Sequence, residues 1–168
     1  MSTQVAATND SSPNVPLPVR ILRSLKPVVL SLLGSRLHPL LSKDILVMTY
    51  KGRRSGRRYE LPLSFVNAAA ETGVAYLCTR PKESGWWRNL QGGADVELLM
   101  AGRTITARAE VLDSESQEAL CGLRSFLTRN PGTGKLLYEV ERDSDGPDEK
   151  QLAASVLESV VVRLDFGS

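Results

Sequence analysis

The sequence predicts a mainly β (α+β) domain, built as a small closed or partly closed barrel of about six mostly antiparallel strands. Six short stretches have strand-like composition or alternation, and segments with turn signals separate them. Helical spacing occurs in two places only, before the first strand and inside the last connection, so strands and helices do not alternate as in a βαβ chain. The 168 residues are enough for one substantial core.

The N-terminal part combines a polar tail with an amphipathic helix. Residues 1–18 are rich in Ser, Thr, Asn and Pro, which predicts a flexible tail. Residues 19–168 are expected to form the single domain. Within it, apolar residues recur at helical spacing over residues 19–33, with basic residues off that face, which predicts the amphipathic helix before the first strand.

The remaining elements follow in order along the chain. The predicted strands are ILVMTY (45–50), YELPLSFVN (59–67), VAYLCT (74–79), DVELLM (95–100), RTITARAEVL (103–112) and SVVVRLDF (159–166). The predicted helix before the last strand is SESQEALCGLRSFLTRN, with Ser114 as its expected N-cap and Gln117 three residues later. The segment SDGPDEKQ (144–151) is predicted to be a polar loop.

The charge of the chain is small in total but unevenly distributed. Between Arg20 and Arg58 ten Lys or Arg residues stand against Asp44 alone, although the whole chain has a net charge of only +2. A basic N-terminal third predicts an anionic ligand, a membrane surface or a nucleic acid as local partner. No apolar run approaches a membrane span, no secretion signal is recognisable and two cysteines are too few for a disulfide framework, so a cytoplasmic location is expected.

The most informative candidate site is the turn KGRRSGRRY, residues 51–59. Glycines in this turn allow backbone amides to converge on one point, and each planar guanidinium matches two oxygens of a phosphate or carboxylate. The alternative is a solvated hairpin tip that protects a sheet edge, a task for which about one or two lysines suffice. No GxxxxGK[ST] pattern is present, which excludes a Walker loop. The expected anion ligands are Arg53, Arg54, Ser55, Arg57 and Arg58.

A second candidate is the segment GWWRNL, residues 85–90. Trp86 and Trp87 are neighbours and do not easily both face one core, so at least one ring is expected in a cleft or interface. Asn89 offers both a donor and an acceptor, which suits a heterocycle edge or a sugar hydroxyl. The alternative of equal weight is that one tryptophan closes an end of the barrel.

Together, LVMTYKGRRSGRRYELPLSFV and, about twenty residues further on, GWWRNL resemble the deazaflavin-dependent nitroreductase family, a branch of the flavin-reductase-like split β-barrels. The resemblance extends from about Leu37 to Leu112. It implies a split β-barrel whose arginine turn binds the phosphate and acidic tail of the reduced 5-deazaflavin coenzyme F420. The residues that this places at the cofactor are Arg53, Arg54, Ser55, Gly56, Arg57 and Arg58 on the anion, with Trp86 and Asn89 beside them.

The resemblance also implies an activity. An enzyme of this kind transfers a hydride from the reduced deazaflavin to an electron-poor small molecule, such as a nitro compound, a quinone or an activated alkene. FMN is the runner-up cofactor, and the groove of a split barrel is often completed by a homodimer partner. The accompanying proton comes from solvent or from a hydroxyl such as that of Tyr76 or Tyr138, neither of which belongs to a motif.

Other functions stay open at this point. A nucleic-acid binder would use the basic third, but few aromatic residues are interleaved with the charge, so no nucleic-acid partner is expected. A peripheral membrane module would place the helix over residues 19–33 on anionic lipid, which is compatible with an enzyme for lipophilic substrates. Binding of the coenzyme without turnover is a third alternative. His38, the single histidine, is expected to pack rather than catalyse, and no metal cluster is recognisable.

Overall fold

A computed structural model of the chain describes residues 45–68, 73–82 and 84–167. The strands in these ranges are β1 (Ile45–Lys51), β2 (Arg58–Ser64), β3 (Val66–Asn67), β4 (Val74–Thr79), β5 (Ala94–Met100), β6 (Arg103–Val111) and β7 (Val160–Asp165). The helical elements are a 3-10 turn (Trp86–Leu90), α1 (Gln117–Arg129), α2 (Pro131–Thr133), a π-helical turn (Gly134–Tyr138) and α3 (Glu149–Leu157). The predicted tail over 1–18, the predicted helix over 19–33 and His38 lie outside the described residues.

The seven strands form one antiparallel sheet with the order β2-β1-β5-β6-β7-β4-β3. β2 and β3 are the two edges of this sheet, yet only Phe65 separates them along the chain. A flat sheet of seven strands would hold its edges about 29 Å apart, at roughly 4.8 Å per strand, which one residue cannot span. The sheet therefore curls until its edges meet. This half-barrel confirms the predicted fold class.

The described residues form seven strands where the sequence predicts six, because the segment YELPLSFVN divides in two. Its first part, β2, pairs with β1, whereas Val66 and Asn67 pair with β4. Phe65 lies between them and is buried. The alternation of apolar and polar residues thus continues from β2 into β3, although the two strands pair with different neighbours. Alternation alone does not show where along the chain the pairing partner changes.

The last connection contains more helix than predicted. The predicted helix is present as α1, but its N-cap is not Ser114: the Ser116 hydroxyl accepts a backbone amide of the first turn at 3.1 Å. The predicted polar loop over 144–151 is wrong at its end, because α3 begins at Glu149. The Asp148 carboxylate caps α3 by accepting a backbone amide at 2.9 Å. Polar residues are typical of a capped helix N-terminus, so polarity did not distinguish this helix start from a loop.

Two apolar clusters lie on the two faces of the sheet. The first fills the inside of the half-barrel, where Met48, Leu77 and Leu98 are fully buried. The second lies between the outer face and the helices, and includes Tyr76 and Leu123. Neighbours in β4 therefore alternate between the clusters, as the period of a strand requires. None of the helices in the described ranges is long and apolar enough to cross a membrane.

Candidate functional site

The β1–β2 hairpin ends in a tight turn formed by residues 52–57. The amide of Gly52 donates to the carbonyl of Arg57, and the amide of Gly56 donates to the carbonyl of Gly52, both at 2.8 Å. Gly56 has a φ of 63°, a left-handed conformation that costs most other residues about 1 kcal/mol or more. A Cβ on the buried Gly52 would lie 2.7 Å from both Ser55 Oγ and Tyr59 Cε2. The shape of this turn therefore depends on both glycines.

The four arginines of the turn are all exposed, but their surroundings differ. Arg53 Nη1 donates to a backbone carbonyl at 3.0 Å, and Arg58 Nη2 pairs with Glu97 Oε2 at 2.6 Å. Within the described ranges, the guanidinium groups of Arg54 and Arg57 have no hydrogen-bond or ion-pair partner. Arg54 also lines a cavity. Of the four side chains, that of Arg54 is thus the best placed to bind an anion.

Arg53 and Asn89 join the arginine turn to the 3-10 turn. The amide of Arg53 donates to Asn89 Oδ1 at 3.0 Å, and the guanidinium of Arg53 donates to the carbonyl of Gln91 at 3.0 Å. Asn89 Nδ2 in turn donates to the carbonyl of Trp86 at 3.0 Å. The two sequence motifs are therefore in direct contact. The side-chain oxygen of Asn89 and one of its two amide hydrogens are therefore already used in hydrogen bonds within the protein. The second amide hydrogen is free to donate to a ligand.

The two adjacent tryptophans have different environments. Trp86 is only 8% exposed and packs in the first cluster, yet it is also one of the residues that line the cavity. Trp87 is half-buried, and its indole donates to the carbonyl of Ser84 at 3.0 Å. The guanidinium of Arg88 lies 4.8 Å from the centroid of the Trp87 ring, within range of a cation–π contact. Trp86 is therefore both a core residue and part of the cavity wall.

The cavity has a volume of about 880 Å³, which lies within the range of small-molecule and cofactor sites. One end is polar and includes Arg54, Ser55 and Asn89. The other end is largely apolar and is formed by Phe126 of α1 and by five residues that follow this helix, Gly132, Thr133, Leu136, Leu137 and Tyr138. Residues 59–64, on the edge strand β2, form the wall between the two ends.

The polar end of the cavity contains hydrogen-bond donors that have no partner within the described residues. In the part of the chain that the structure describes, the backbone amides of Arg54 and Ser55 have no acceptor. Together with the guanidinium of Arg54 they form a donor set that fits an oxyanion. No group of three or more His, Cys, Asp or Glu side chains within the described residues is arranged to hold a metal ion.

Two tyrosines form an aromatic surface next to this polar end. Tyr50 and Tyr59 face each other across the β1–β2 hairpin, with ring centroids 5.6 Å apart and planes inclined by 22°. Burial, and to a lesser degree Tyr59, raises the pKa of Tyr50 above its ordinary value. The Tyr59 hydroxyl lies 3.2 Å from Ser55 Oγ. Tyr50 therefore keeps its proton over the physiological pH range and offers a neutral face to a ring.

The two predicted proton donors lie in different places. Tyr76 belongs to the second cluster, its hydroxyl donates to Glu118 at 3.2 Å, and it is not part of the cavity wall. Burial and then the Glu118 carboxylate raise the pKa of Tyr76. Tyr138 does line the cavity, and its ring packs edge to face on Phe126 at 6.3 Å between centroids. Of the two, Tyr138 is the one at the cavity.

Sequence reasoning missed several residues of the cavity wall. The position of Tyr50 and Tyr59 could have been predicted, because they are equally far from the centre of the turn and therefore pair across the β1–β2 hairpin. Cys78 and residues 132–138 carry no comparable signal, since the fold brings them there from distant parts of the chain. Burial raises the pKa of the Cys78 thiol, which therefore stays protonated in the cavity wall.

A protein-family model matches residues 22–132, about two thirds of the chain, and this match contains both the arginine turn and the GWWRNL segment. The model describes the F420H(2)-dependent quinone reductase. The chain belongs to this family. The resemblance to deazaflavin-dependent reductases is thereby confirmed, and so is F420 as the cofactor of the family.

Three solved structures align with this member of the F420H(2)-dependent quinone reductase family. A protein described as a domain-swapped dimer aligns with a TM-score of 0.54 and 16% identity, over 88% of this chain and 99% of that one. A candidate 5-nitroimidazole antibiotic resistance protein from Bacteroides thetaiotaomicron aligns with a TM-score of 0.41 and 15% identity, over 79% of each chain. The heme storage protein HutZ from Vibrio cholerae aligns with a TM-score of 0.35 and 11% identity, over 86% of this chain and 91% of that one. The first alignment confirms the half-barrel. No curated protein matches the chain.

Proposed function

We propose that the protein is a reductase that transfers a hydride from F420H2 to an electron-poor small molecule. A quinone is the first acceptor to test, followed by nitro compounds and activated alkenes. One observation supports this proposal above the others: in a chain of an F420H(2)-dependent family, one cavity joins an unpartnered oxyanion donor set to an aromatic wall. F420 presents the matching features, an anionic tail and a planar ring.

The polar end of the cavity would hold the anionic part of F420. The guanidinium of Arg54 and the amides of Arg54 and Ser55 are the direct ligands in this proposal, since they are the donors without partners. Gly56 gives the turn its shape, and Arg57 adds unpaired positive charge nearby. Arg53 would act through the turn rather than by contact, because its amide and its guanidinium both bind the 3-10 turn region.

The aromatic wall would hold the ring. Tyr50, Tyr59 and Trp86 offer faces of the size and polarity on which a planar heterocycle packs. The second amide hydrogen of Asn89 is a donor for the polar edge of that ring. Arg58 has a smaller part in this proposal, because Glu97 already neutralises its charge.

When bound, the reduced deazaflavin supplies a hydride, that is, two electrons and one proton. The residues of the chain orient the two reactants face to face and exclude water from between them. A quinone that accepts a hydride takes up one further proton to become a hydroquinone. Solvent or the Tyr138 hydroxyl would supply this proton, because Tyr138 lies at the cavity and Tyr76 does not.

The assembly that we propose is a homodimer. A solved neighbour in fold is described as a domain-swapped dimer, and the edge strand β2 forms one wall of the cavity, where a second copy can complete the groove. Light scattering coupled to size exclusion measures this directly. A cytoplasmic location and membrane contact through residues 19–33 stay predictions from the sequence.

The cofactor site is tested by titrating the protein with F420H2 and with FMN while following fluorescence. We expect Arg54→Ala to raise the Kd for F420H2 by about tenfold or more, since a hydrogen bond to a charged group is worth roughly 1.5–3 kcal/mol. The matched control is Arg103→Ala, an exposed arginine in the β5–β6 hairpin at the opposite end of the sheet. An unchanged affinity of Arg54→Ala would reject this anion site.

Hydride transfer is tested separately from binding. Purified protein is mixed with F420H2, and the return of oxidised F420 absorbance is followed after adding a quinone, a nitro compound or an activated alkene. Oxidation that requires both the protein and the acceptor supports the reductase. Tight binding of F420H2 with no oxidation by any acceptor would indicate a protein that binds the coenzyme without turnover.

A further inference from the structure

The apolar end of the cavity is closed by residues 132–138, which belong to α2 and the π-helical turn. Gly132, Thr133, Leu136, Leu137 and Tyr138 all contribute to the wall there. Leu136 is 60% exposed, an unusual position for a large apolar side chain within the described residues. This segment is named here the leucine wall, and all of it except Gly132 lies beyond the stretch that the family model matches.

Two side chains from other elements hold the backbone of the leucine wall. Arg80 Nη1 donates to the carbonyl of Leu137 at 2.8 Å, and Ser155 Oγ donates to the carbonyl of Tyr138 at 3.1 Å. Arg80 Nη2 pairs at the same time with Glu158 Oε2 at 2.5 Å. The side chain of Arg80 is only 14% exposed, so these two bonds fix a guanidinium that is largely removed from water.

These bonds replace the contacts that the segment cannot make by itself. The π-helical turn ends at Tyr138 and is followed by Glu139, which has a φ of 57°. The last carbonyls of a helical segment lack partners within it. Arg80 supplies the partner for one of them from the loop that follows β4. Cys78 and Thr79, at the end of β4, line the cavity as well. Arg80 thus connects the leucine wall with the end of β4.

We propose that Arg80 is a positioning residue that holds the leucine wall in place, and that Leu136 and Leu137 select the acceptor by its apolar size. This inference rests on the proposed reductase function. Leu136 is exposed without a ligand and becomes covered when an apolar ring extends to that end of the cavity. The wall thereby favours a bulky, apolar acceptor over a small polar one, while the polar end at Arg54 is unaffected.

The test compares two quinones that differ in apolar size, 2-methyl-1,4-naphthoquinone and 1,4-benzoquinone. Their affinity for the protein loaded with oxidised F420, where no hydride is available, is measured by isothermal titration calorimetry. KM and kcat with F420H2 are measured in parallel. The variants are Leu136→Ala, Arg80→Met and Arg80→Lys, and the matched control is Leu157→Ala, an equally exposed leucine of α3 outside the cavity.

Leu136→Ala and Arg80→Met are expected to raise the Kd and KM for the naphthoquinone by about fivefold or more, the effect of truncating a residue that matters in a binding site. The Kd for F420H2, the values for benzoquinone and all values of Leu157→Ala should stay within about twofold. Arg80→Lys, which keeps one charged donor, should recover part of the naphthoquinone affinity.

Naphthoquinone affinity equal to that of the wild type in Arg80→Met and Leu136→Ala would overturn the proposal, and so would the absence of naphthoquinone binding to the wild type. If Arg80→Met fails to fold by circular dichroism, Leu136→Ala decides, because its side chain is exposed. Failure of the proposed function is distinguishable, since the wild type would then either not bind F420H2 or bind it without oxidation by any acceptor, whereas the quinone affinities are measured without hydride transfer. If the wild type does not bind F420H2, the naphthoquinone titrations are made without cofactor and are judged by the same criteria.

Discussion

At the scale of single residues, the contact between the two motifs depends on Asn89. Its Oδ1 accepts from the amide of Arg53, and its Nδ2 donates to the carbonyl of Trp86. A short side chain with both an acceptor and donors is needed to make these two bonds at once. Because Arg53 is exposed, water can replace the lost partner, so removing Asn89 affects the position of the turn more than the stability of the fold.

We therefore expect Asn89→Ala to raise the Kd for F420H2 by about tenfold, with a melting temperature only a few degrees lower. Hydrogen exchange at residues 52–58 should become faster, because the Arg53 amide loses its acceptor. Fluorescence titration and exchange mass spectrometry measure the two effects. Asn67→Ala, an exposed asparagine of β3 outside the cavity wall, is the control. Unchanged exchange and affinity in Asn89→Ala would contradict this account.

For the arginine turn, the sequence predicts the function of the segment but not the role of each residue. The pattern of glycines and arginines predicts an anion-binding turn, but it gives no order among the four arginines. Their partners lie far along the chain: Asn89 is 36 residues from Arg53, and Glu97 is 39 residues from Arg58. Only the pairing of β1 with both β2 and β5 brings these groups together, so the role of Arg54 becomes visible in the fold alone.

At the scale of elements, the end of β7 carries a charged cluster that connects the strand to α1. Asp165 accepts from the amide of Gly167 at 3.1 Å and from Arg163 Nη2 at 2.7 Å. Arg163 Nε lies 3.7 Å from the Glu118 carboxylate of α1. The amide of Gly167 first, and then Arg163, hold the pKa of Asp165 below its usual 3.8.

This direction predicts how acid affects the fold. Because the pKa of Asp165 is lower in the folded than in the unfolded chain, its ionised form stabilises the fold above about pH 3.8, and this contribution is lost as the pH falls through the folded pKa. The difference in melting temperature between the wild type and Asp165→Asn should therefore shrink between about pH 5 and about pH 3. Asp95→Asn, which removes an exposed partner of Arg108, is the control. A difference that is constant over this range would contradict the assignment.

The strands could be predicted from the sequence, but α3 could not. The strands are short runs between turn signals, whereas α3 runs almost directly into β7, with only Glu158 and Ser159 between them. Its buried face is narrow and consists of Leu152, Ser155 and Val156. One of these three residues is polar, and the apolar residues of β7 follow directly. The apolar residues of α3 therefore do not show a clear helical spacing in the sequence.

At the scale of the whole molecule, the sheet is shared by the two apolar clusters. In β4, Leu77 belongs to the first cluster and Tyr76 to the second; in β7, Val162 belongs to the first and Val161 to the second. Neither cluster can lose its strands without exposing the other. The sharing of strands between the two clusters has a thermodynamic consequence, whereas the single domain over residues 19–168 stays a prediction from the sequence.

We expect the protein to unfold in one cooperative transition, and Leu77→Ala and Leu123→Ala to lower its midpoint without dividing it. Both side chains are fully buried, one in each cluster, and such truncations cost about 2–5 kcal/mol. Calorimetry gives the number of transitions, tryptophan fluorescence reports the first cluster through Trp86, and far-ultraviolet circular dichroism reports the helices that cover the second. Leu157→Ala, an exposed leucine, should leave the midpoint unchanged. If Leu123→Ala moved the circular dichroism transition but not the fluorescence transition, the two clusters would be separate folding units, since shared strands require both signals to change together.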